Sequence, residues 1–308
     1  MRQQMLGFTT LSLVLGIAPM AQAISYTFTT IEAPNASGTE AHGINNSGDI
    51  VGGYDDTTGT HGFLLRDGVL STINFPGANF TLAWGINDSG DIVGGFSVAS
   101  TPQGFLRSAD GSIGSIMIGE TFTQVRGINN QNEMVGRFTD SEGLGHGFVQ
   151  GQDGTPTTIP NMSAHGINDH GDVVGGTPDQ TQSLIRLAGG EPTSLIIGTT
   201  SQAMGINNHG DIAGFYSDST GTGYSGFVID GDSSTVNWGI TVPGAYSTMI
   251  YGINDAGDIV GTFLGSDHRV YGFLGSSIKS VPEPSSLLLF GAGLIGLTIW
   301  GRKQRRVS

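Results

Sequence analysis

The chain has 308 residues, of which 52 are glycine, 11 are proline and none is cysteine, and its formal net charge is −14. Glycine is about one residue in six, where about 7% is usual, but it does not recur at every third position as in collagen. The lack of cysteine excludes disulfide-stapled folds and thiolate metal sites, and the acidic balance argues against nucleic-acid binding. The hydrophobic content of 37% argues against disorder. The composition is compatible with a globular all-β protein that has many tight turns, and a low-complexity glycine-rich chain is the alternative.

The first 23 residues have the pattern of a secretory signal peptide. Arg2 is followed by an apolar run over residues 6–18 and then by Ala21-Gln22-Ala23, a small-residue cleavage site. We therefore predict export and cleavage before Ile24. A buried helix is the alternative, and the N-terminal position of the run and its length, too short to span a bilayer unaided, argue against it.

Six copies of one unit fill the middle of the chain. The tripeptide Gly-Ile-Asn recurs at spacings of 42, 42, 39, 39 and 47 residues, beginning at Gly43, Gly85, Gly127, Gly166, Gly205 and Gly252. A second signature follows in each copy, as in His61-Gly62-Phe63-Leu64, and it is degraded to Ser183-Leu184-Ile185-Arg186 in the fourth copy. Such a period indicates a repeat architecture.

Each unit contains four predicted short strands, over residues 41–45, 50–54, 61–66 and 69–75 of the first copy. The turn Asn46-Ser47-Gly48 between the first two strands requires a positive φ, which its glycine supplies. Four strands in about 42 residues have the length of a propeller blade. We therefore predict an all-β fold, a six-bladed β-propeller over residues 24–279.

The two ends of the repeat region complement each other. Residues 26–34 resemble the fourth-strand segment 69–76, whereas the last copy stops near Ile278 after its third strand. The N-terminal strand is therefore predicted to complete the last blade, with the Gly-Ile-Asn strands innermost. An open β-solenoid is the alternative, and it would not need a displaced N-terminal strand.

The two signatures together resemble the extracellular HAF-type repeat family over residues 26–278. Gly62 and Gly147 stand where that family has alanine, and other copies have lost the histidine. The resemblance implies an exported β-repeat protein and no particular chemistry.

The C-terminal residues 280–308 resemble the PEP-CTERM sorting signal. Pro282-Glu283-Pro284 match its motif, and an apolar stretch over residues 287–300 is followed by the basic residues Arg302, Lys303, Arg305 and Arg306. The resemblance implies a transmembrane helix before processing by an exosortase, a Gram-negative host with exopolysaccharide, and a final place at the cell surface or outside the cell. A plain C-terminal membrane anchor is the alternative. Without both ends, residues 24–281 carry 7 basic and 25 acidic side chains, a net charge of −18.

No catalytic residue, metal site or cofactor is predicted. The repeated Asn-x-x-Gly-Asp lacks the ligand spacing of a calcium loop and is typical of side chains that cap turns. The histidines recur at repeat positions or lie in turns, and Gly231-Asp232-Ser233 lacks a nucleophile elbow. The G-x-G-x-x-G at residues 291–296 lacks the βαβ context of a dinucleotide site.

One position varies while the unit around it stays constant. It is the large residue before each Gly-Ile-Asn, here called a mouth residue: His42, Trp84, Arg126, His165, Met204 and Tyr251. These side chains either pack between blades or form a ligand-binding mouth of the central channel, where aromatic and arginine groups suit sugars or peptides.

The favoured function is a non-enzymatic surface or matrix protein that binds exopolysaccharide or an envelope protein. The alternative is a secreted propeller enzyme acting on glycans or lactones.

Overall fold

The computed structural model describes residues 25–99, 101–119, 121–195, 200–217 and 223–278. They form 24 strands, grouped as six antiparallel blades of four strands, of which the first two are joined by one parallel bridge between Thr60 and Phe80. In the first copy the predicted strands differ from the observed ones by at most three residues.

The blades follow the order of the repeats. Blade 1 contains β2 (Gly38–Ile44), β3 (Ile50–Asp56), β4 (Gly59–Arg66) and β5 (Val69–Ile73). Blade 2 contains β6 (Phe80–Ile86), β7 (Ile92–Val98), β8 (Thr101–Arg107) and β9 (Ile113–Ile116). Blade 3 contains β10 (Phe122–Ile128), β11 (Met134–Thr139), β12 (Gly145–Gln150) and β13 (Pro156–Ile159). Blade 4 contains β14 (Ser163–Ile167), β15 (Val173–Gly176), β16 (Ser183–Arg186) and β17 (Thr193–Leu195). Blade 5 contains β18 (Ser201–Ile206), β19 (Ile212–Ser217), β20 (Tyr224–Ile229) and β21 (Val236–Ile240). Blade 6 contains β22 (Ser247–Ile253), β23 (Ile259–Leu264), β24 (Val270–Ile278) and, from the N-terminus, β1 (Ser25–Ile31).

The N-terminal strand closes the ring, as the sequence predicts. β1 pairs antiparallel with β24 from Ser25↔Ile278 to Ile31↔Gly272, and β2 of the first blade contacts β22 of the last. Phe28 packs edge-on against Phe273 at 5.5 Å between ring centroids. The fold is therefore a closed propeller, and the open solenoid is excluded.

Small residues are required where the six innermost strands meet. A Cβ on Gly43 would lie 2.7 Å from the carbonyl oxygen of Trp84 in the next blade, and one on Gly252 would lie 2.8 Å from that of His42. Every Gly-Ile-Asn glycine meets the next blade in this way. The strands approach one another too closely for any larger residue.

Between neighbouring blades the core is built on one large apolar side chain per copy, which is a phenylalanine in five of the six. These side chains are 0% exposed in five blades: Phe63, Phe105, Phe148, Phe227 and Phe273. In blade 4 the position belongs to Leu184, which pairs with Gly175 as Phe63 pairs with Gly52. The neighbouring Ser183 replaces the usual glycine, and its hydroxyl lies 2.9 Å from that of Ser201. The degraded signature of the fourth copy therefore keeps its structural role.

The first turn of each unit has the predicted conformation. Gly48 adopts a φ of +82°, and its N–H donates to the Asn45 carbonyl at 3.1 Å. In the third copy Asn132 takes this place with a φ of +60°, which asparagine tolerates better than most residues.

Both predicted end segments lie outside the described residues. These are the signal peptide over residues 1–23 and the tail that contains the predicted transmembrane helix over residues 287–300. In the ranges that are described, no helix has the length and apolar character needed to cross a membrane.

Candidate functional site

A β-bulge on every innermost strand places the mouth residues. The register between the first two strands shifts between Ala41 and Gly43 in blade 1, and it shifts at the same place in the other five blades. The mouth residue is thus the extra residue of the bulge, and a bulge changes the direction of its side chain. The six side chains gather at one end of the channel, around a cavity of about 70 Å³.

The six mouth residues differ in how accessible they are. His42, His165 and Met204 are 2%, 6% and 9% exposed, respectively. Trp84, Arg126 and Tyr251 are half-buried. The burial of the first three fits the packing interpretation, whereas the last three keep accessible surface.

The indole of Trp84 packs between side chains from the two neighbouring blades. The His42 imidazole stacks on the indole with ring centroids 4.1 Å apart, and the Arg126 Cζ lies 5.0 Å from the indole centroid. Tyr251 meets His42 edge-on at 5.2 Å. The indole faces are therefore occupied by protein, and the indole N–H, which is buried, has no hydrogen-bond partner.

A second arginine belongs to this site although the sequence did not single it out. Arg126 Nη2 and Arg137 Nε both donate to Gln124 Oε1, at 3.2 and 3.0 Å. Arg137 lies on β11 at a position where Gly53, Gly95 and Gly176 stand in other blades. Burial and the Arg137 charge lower the pKa of Arg126 to about 9.

The two mouth histidines are anchored to backbone. His42 Nδ1 lies 3.1 Å from the Ala83 carbonyl oxygen, and His165 Nδ1 lies 3.0 Å from that of Ala203. His42 Nε2 also contacts the Glu40 carboxylate at 3.1 Å, and this hydrogen bond lowers the pKa of Glu40. Burial and then the Arg126 charge lower the pKa of His165 to about 3, so its imidazole is neutral.

The opposite end of the channel carries a ring that the sequence analysis missed. The residue after each Gly-Ile-Asn alternates between asparagine and aspartate around the six blades: Asn46, Asp88, Asn130, Asp169, Asn208 and Asp255. Each asparagine amide donates to both flanking carboxylates at 2.8–3.0 Å. Each of the six backbone N–H groups donates to the next side chain at 2.8 Å. The alternation itself was the available signal, because it places an amide donor between two carboxylate acceptors all the way around the ring.

The asparagine of Gly-Ile-Asn caps its own turn, as predicted. Asn45 Oδ1 accepts from the N–H groups of Ser47 and Asp49, at 3.1 and 2.9 Å. Its amide also donates to the Asn87 carbonyl of the next blade at 3.1 Å. These side chains are thus committed to backbone bonds, and within the described ranges no group of three or more acidic or histidine side chains is arranged to hold a metal ion.

The other residues singled out by the sequence lie elsewhere. His61 and His146 contact Asp56 and Asp140 at 3.2 and 2.7 Å at the blade edges. Ser233 lies in an exposed turn, where its hydroxyl donates to Asp230. The sorting residues Pro282, Glu283 and Pro284, and the basic residues Arg302, Lys303, Arg305 and Arg306, lie outside the described part of the chain.

A larger cavity of about 730 Å³ lies between blades 2 and 3, away from the mouth residues. Ser115 and Gln150 are among its lining residues. Its volume falls in the range of small-molecule sites. It is therefore an alternative ligand site, and substitutions there serve as a control for substitutions of the mouth residues.

Comparison with solved structures supports the fold. Streptogramin B lyase aligns with a TM-score of 0.50 and 13% identity, over 80% of this chain and 87% of that chain. Luciferin-regenerating enzyme aligns with a TM-score of 0.52 and 10% identity, over 83% of this chain and 96% of that one. TolB from Acinetobacter baumannii aligns with a TM-score of 0.50 and 15% identity, over 79% of this chain and 64% of that one. At these identities the likeness concerns the fold alone, and streptogramin B lyase and TolB are β-propellers.

Sequence comparison characterises the C-terminal end. Residues 280–306 match the PEP-CTERM protein-sorting motif, which confirms the prediction made from Pro282-Glu283-Pro284 and the segments after it. No curated protein is significantly similar to the chain. The motif is a signal for exosortase processing and indicates an exported protein of the cell surface or extracellular space, typical of Gram-negative bacteria. The chain is therefore a β-propeller that carries a PEP-CTERM sorting motif at its C-terminal end.

Proposed function

We propose that the protein is a non-enzymatic binding or scaffold protein of the cell surface or extracellular matrix, and that it binds exopolysaccharide at the mouth residues. One observation carries this proposal. Six similar blades present side chains of five different types at one end of the channel, through a bulge that each blade repeats. A rigid frame with a variable cluster is what a recognition surface requires. The sorting motif supports the location, and the HAF-like repeats are in keeping with an exported β-repeat protein.

Three mouth residues are in a position to contact the ligand. Trp84, Arg126 and Tyr251 are half-buried and supply an indole, a guanidinium group and a phenol ring. Side chains of these types dominate the energetics of recognition surfaces. The buried His42, His165 and Met204 support them from below.

An enzyme remains the second candidate, because several structural neighbours are named as enzymes, among them the lyase. The mouth has one acid–base pair in the described ranges, Glu40 and His42 at 3.1 Å. His42 is 2% exposed and held at both ring nitrogens, so it cannot reach a substrate as the structure stands. The geometry therefore favours binding over catalysis.

The test compares the mouth with the larger cavity. The protein recovered from culture is passed over immobilised matrix polysaccharide of its own host, as wild type, as Trp84→Ala/Arg126→Ala and as Ser115→Ala/Gln150→Ala. We expect the mouth variant to lose retention and the cavity variant to keep it, with both still folded by circular dichroism. Retention of a folded mouth variant at the wild-type level would show that this site is wrong.

A further inference from the structure

Blade 3 places two guanidinium groups side by side at the mouth without an acidic partner. Arg126 and Arg137 share the single acceptor Gln124 Oε1. In the described part of the chain no carboxylate lies within ion-pair distance of either arginine, although residues 24–281 carry 25 acidic side chains. Two half-buried cations repel each other and lose hydration, so the pair destabilises the free protein.

Two buried nitrogen donors of this cluster have no hydrogen-bond partner. Trp84 Nε1 and Arg126 Nε are buried and have no hydrogen-bond partner, and both residues line the 70 Å³ cavity. Buried polar groups are nearly always paired, and a missing partner is costly. Arg126, which lines the cavity, therefore lacks an acceptor for one of its donors, and the charges of Arg126 and Arg137 favour a negatively charged ligand there.

The electrostatics of the surrounding groups agree with this geometry. The mutual repulsion of Arg126 and Arg137 adds to burial in lowering the pKa of Arg126, and burial lowers that of Arg137. The Arg126 charge also helps to keep His165 neutral. A bound anion would relieve the repulsion between Arg126 and Arg137.

We propose that the mouth cavity binds the carboxylate of an acidic sugar residue through Arg126, which lines it, while Arg137, which shares the acceptor Gln124 Oε1 with Arg126, adds a second positive charge beside it. The assignment rests on the proposed function above and specifies the chemistry of its ligand. A cavity of about 70 Å³ holds roughly two water molecules, so it admits a two-oxygen group and leaves the sugar ring outside, beside Tyr251. Because the body has a net charge of −18, it repels polyanions, and the site suits a single acidic residue such as a chain end.

The experiment uses calorimetric titration of the full protein with three probes: D-glucuronate, neutral methyl glucoside and acetate. Charge-assisted hydrogen bonds predict that glucuronate binds wild type at least about tenfold more tightly than methyl glucoside. Arg137→Gln is expected to bring the two sugars to within about twofold. Arg107→Gln, a matched change outside the mouth, should leave the preference intact.

The outcomes separate this inference from the proposed function. Equal affinity for both sugars that is unaffected by Arg137→Gln would overturn the carboxylate assignment and leave the proposed function standing. If acetate binds as tightly as glucuronate, the site recognises a carboxylate alone, and the assignment of its ligand as an acidic sugar is wrong. If glucuronate does not bind at all, the inference is wrong. The proposed function is then tested separately, by retention of the protein on matrix polysaccharide.

A second measurement guards against loss of folding. Since the arginine pair destabilises the free protein, Arg126→Gln and Arg137→Gln should melt no lower than wild type. Glucuronate should raise the melting temperature of wild type and leave that of the variants unchanged. A lower melting temperature in both variants would identify the arginines as structural and would refute the inference.

Discussion

The buried His165 makes the propeller sensitive to mild acid. Its imidazole is 6% exposed, and its pKa is lowered from 6.5 to about 3, first by burial and then by the Arg126 charge. In the unfolded chain it would regain its ordinary pKa. Between those two values the unfolded state binds one more proton than the native state, so stability falls as the pH falls.

The size of the effect follows from the shift. Each pH unit below 6.5 costs about 1.4 kcal/mol for one such group, so this histidine alone removes about 2 kcal/mol between about pH 7 and pH 5. Paired carboxylates do not interfere in this window. The pKa of Asp56, for example, is lowered from 3.8 to about 2, so its stabilising contribution is lost only when the pH falls below about 4.

The measurement is urea unfolding of wild type and His165→Met near both pH values. Methionine is the residue of the fifth copy at this position. The substitution removes the hydrogen bond to Ala203 at every pH, a constant cost of about 1 kcal/mol. It should also reduce, by about 2 kcal/mol, the loss in the free energy of unfolding between about pH 7 and pH 5. If both proteins lose the same stability over this range, the reasoning about His165 is refuted.

The closure of the ring, the asparagine–aspartate ring and the axial glycines each give a further prediction. Removing residues 25–31 deprives blade 6 of its fourth strand and exposes the Phe273 face, and should lower the melting temperature by roughly 10 °C; an unchanged value would contradict closure by β1. Asn46→Asp replaces two amide donors with a charge beside Asp88 and should cost roughly 1–2 kcal/mol, less in high salt; a loss unaffected by salt would argue against charge repulsion. Gly85→Ala places a Cβ 2.9 Å from a carbonyl oxygen and should cost more than about 2 kcal/mol in chemical unfolding. Gly114→Ala, with nothing within 4 Å, is its control and should stay within about 0.5 kcal/mol of wild type.

The fold was predictable because each local sequence signal recurs in the six copies of the repeat. Gly48 marks a turn, Phe63 marks a core position, and the unpaired segment before Pro34 marks the strand that completes blade 6. These signals are local, or they compare one copy with another. They do not depend on knowing which atoms meet across blades.

The site was only partly predictable, because its details depend on contacts between blades. The position of Trp84 was visible, but the stacking of His42 and Arg126 on its indole was not. Arg137 escaped notice because it lies on a second strand, where the copies vary without a pattern. Whether an unpaired donor is buried is likewise decided by neighbours that the sequence does not name.

The pairing of β1 with β24 has a mechanical consequence. Ser25 lies opposite Ile278, so the chain leaves the body at the point where it enters. A pull on the C-terminal side of residue 278 is directed along β24, which is hydrogen-bonded to β23 on one side and β1 on the other. Such a load stretches both rows of hydrogen bonds together, in shear, whereas a single edge strand could peel away bond by bond. The pairing that completes the ring thus also lets the last strand of the body bear tension in shear.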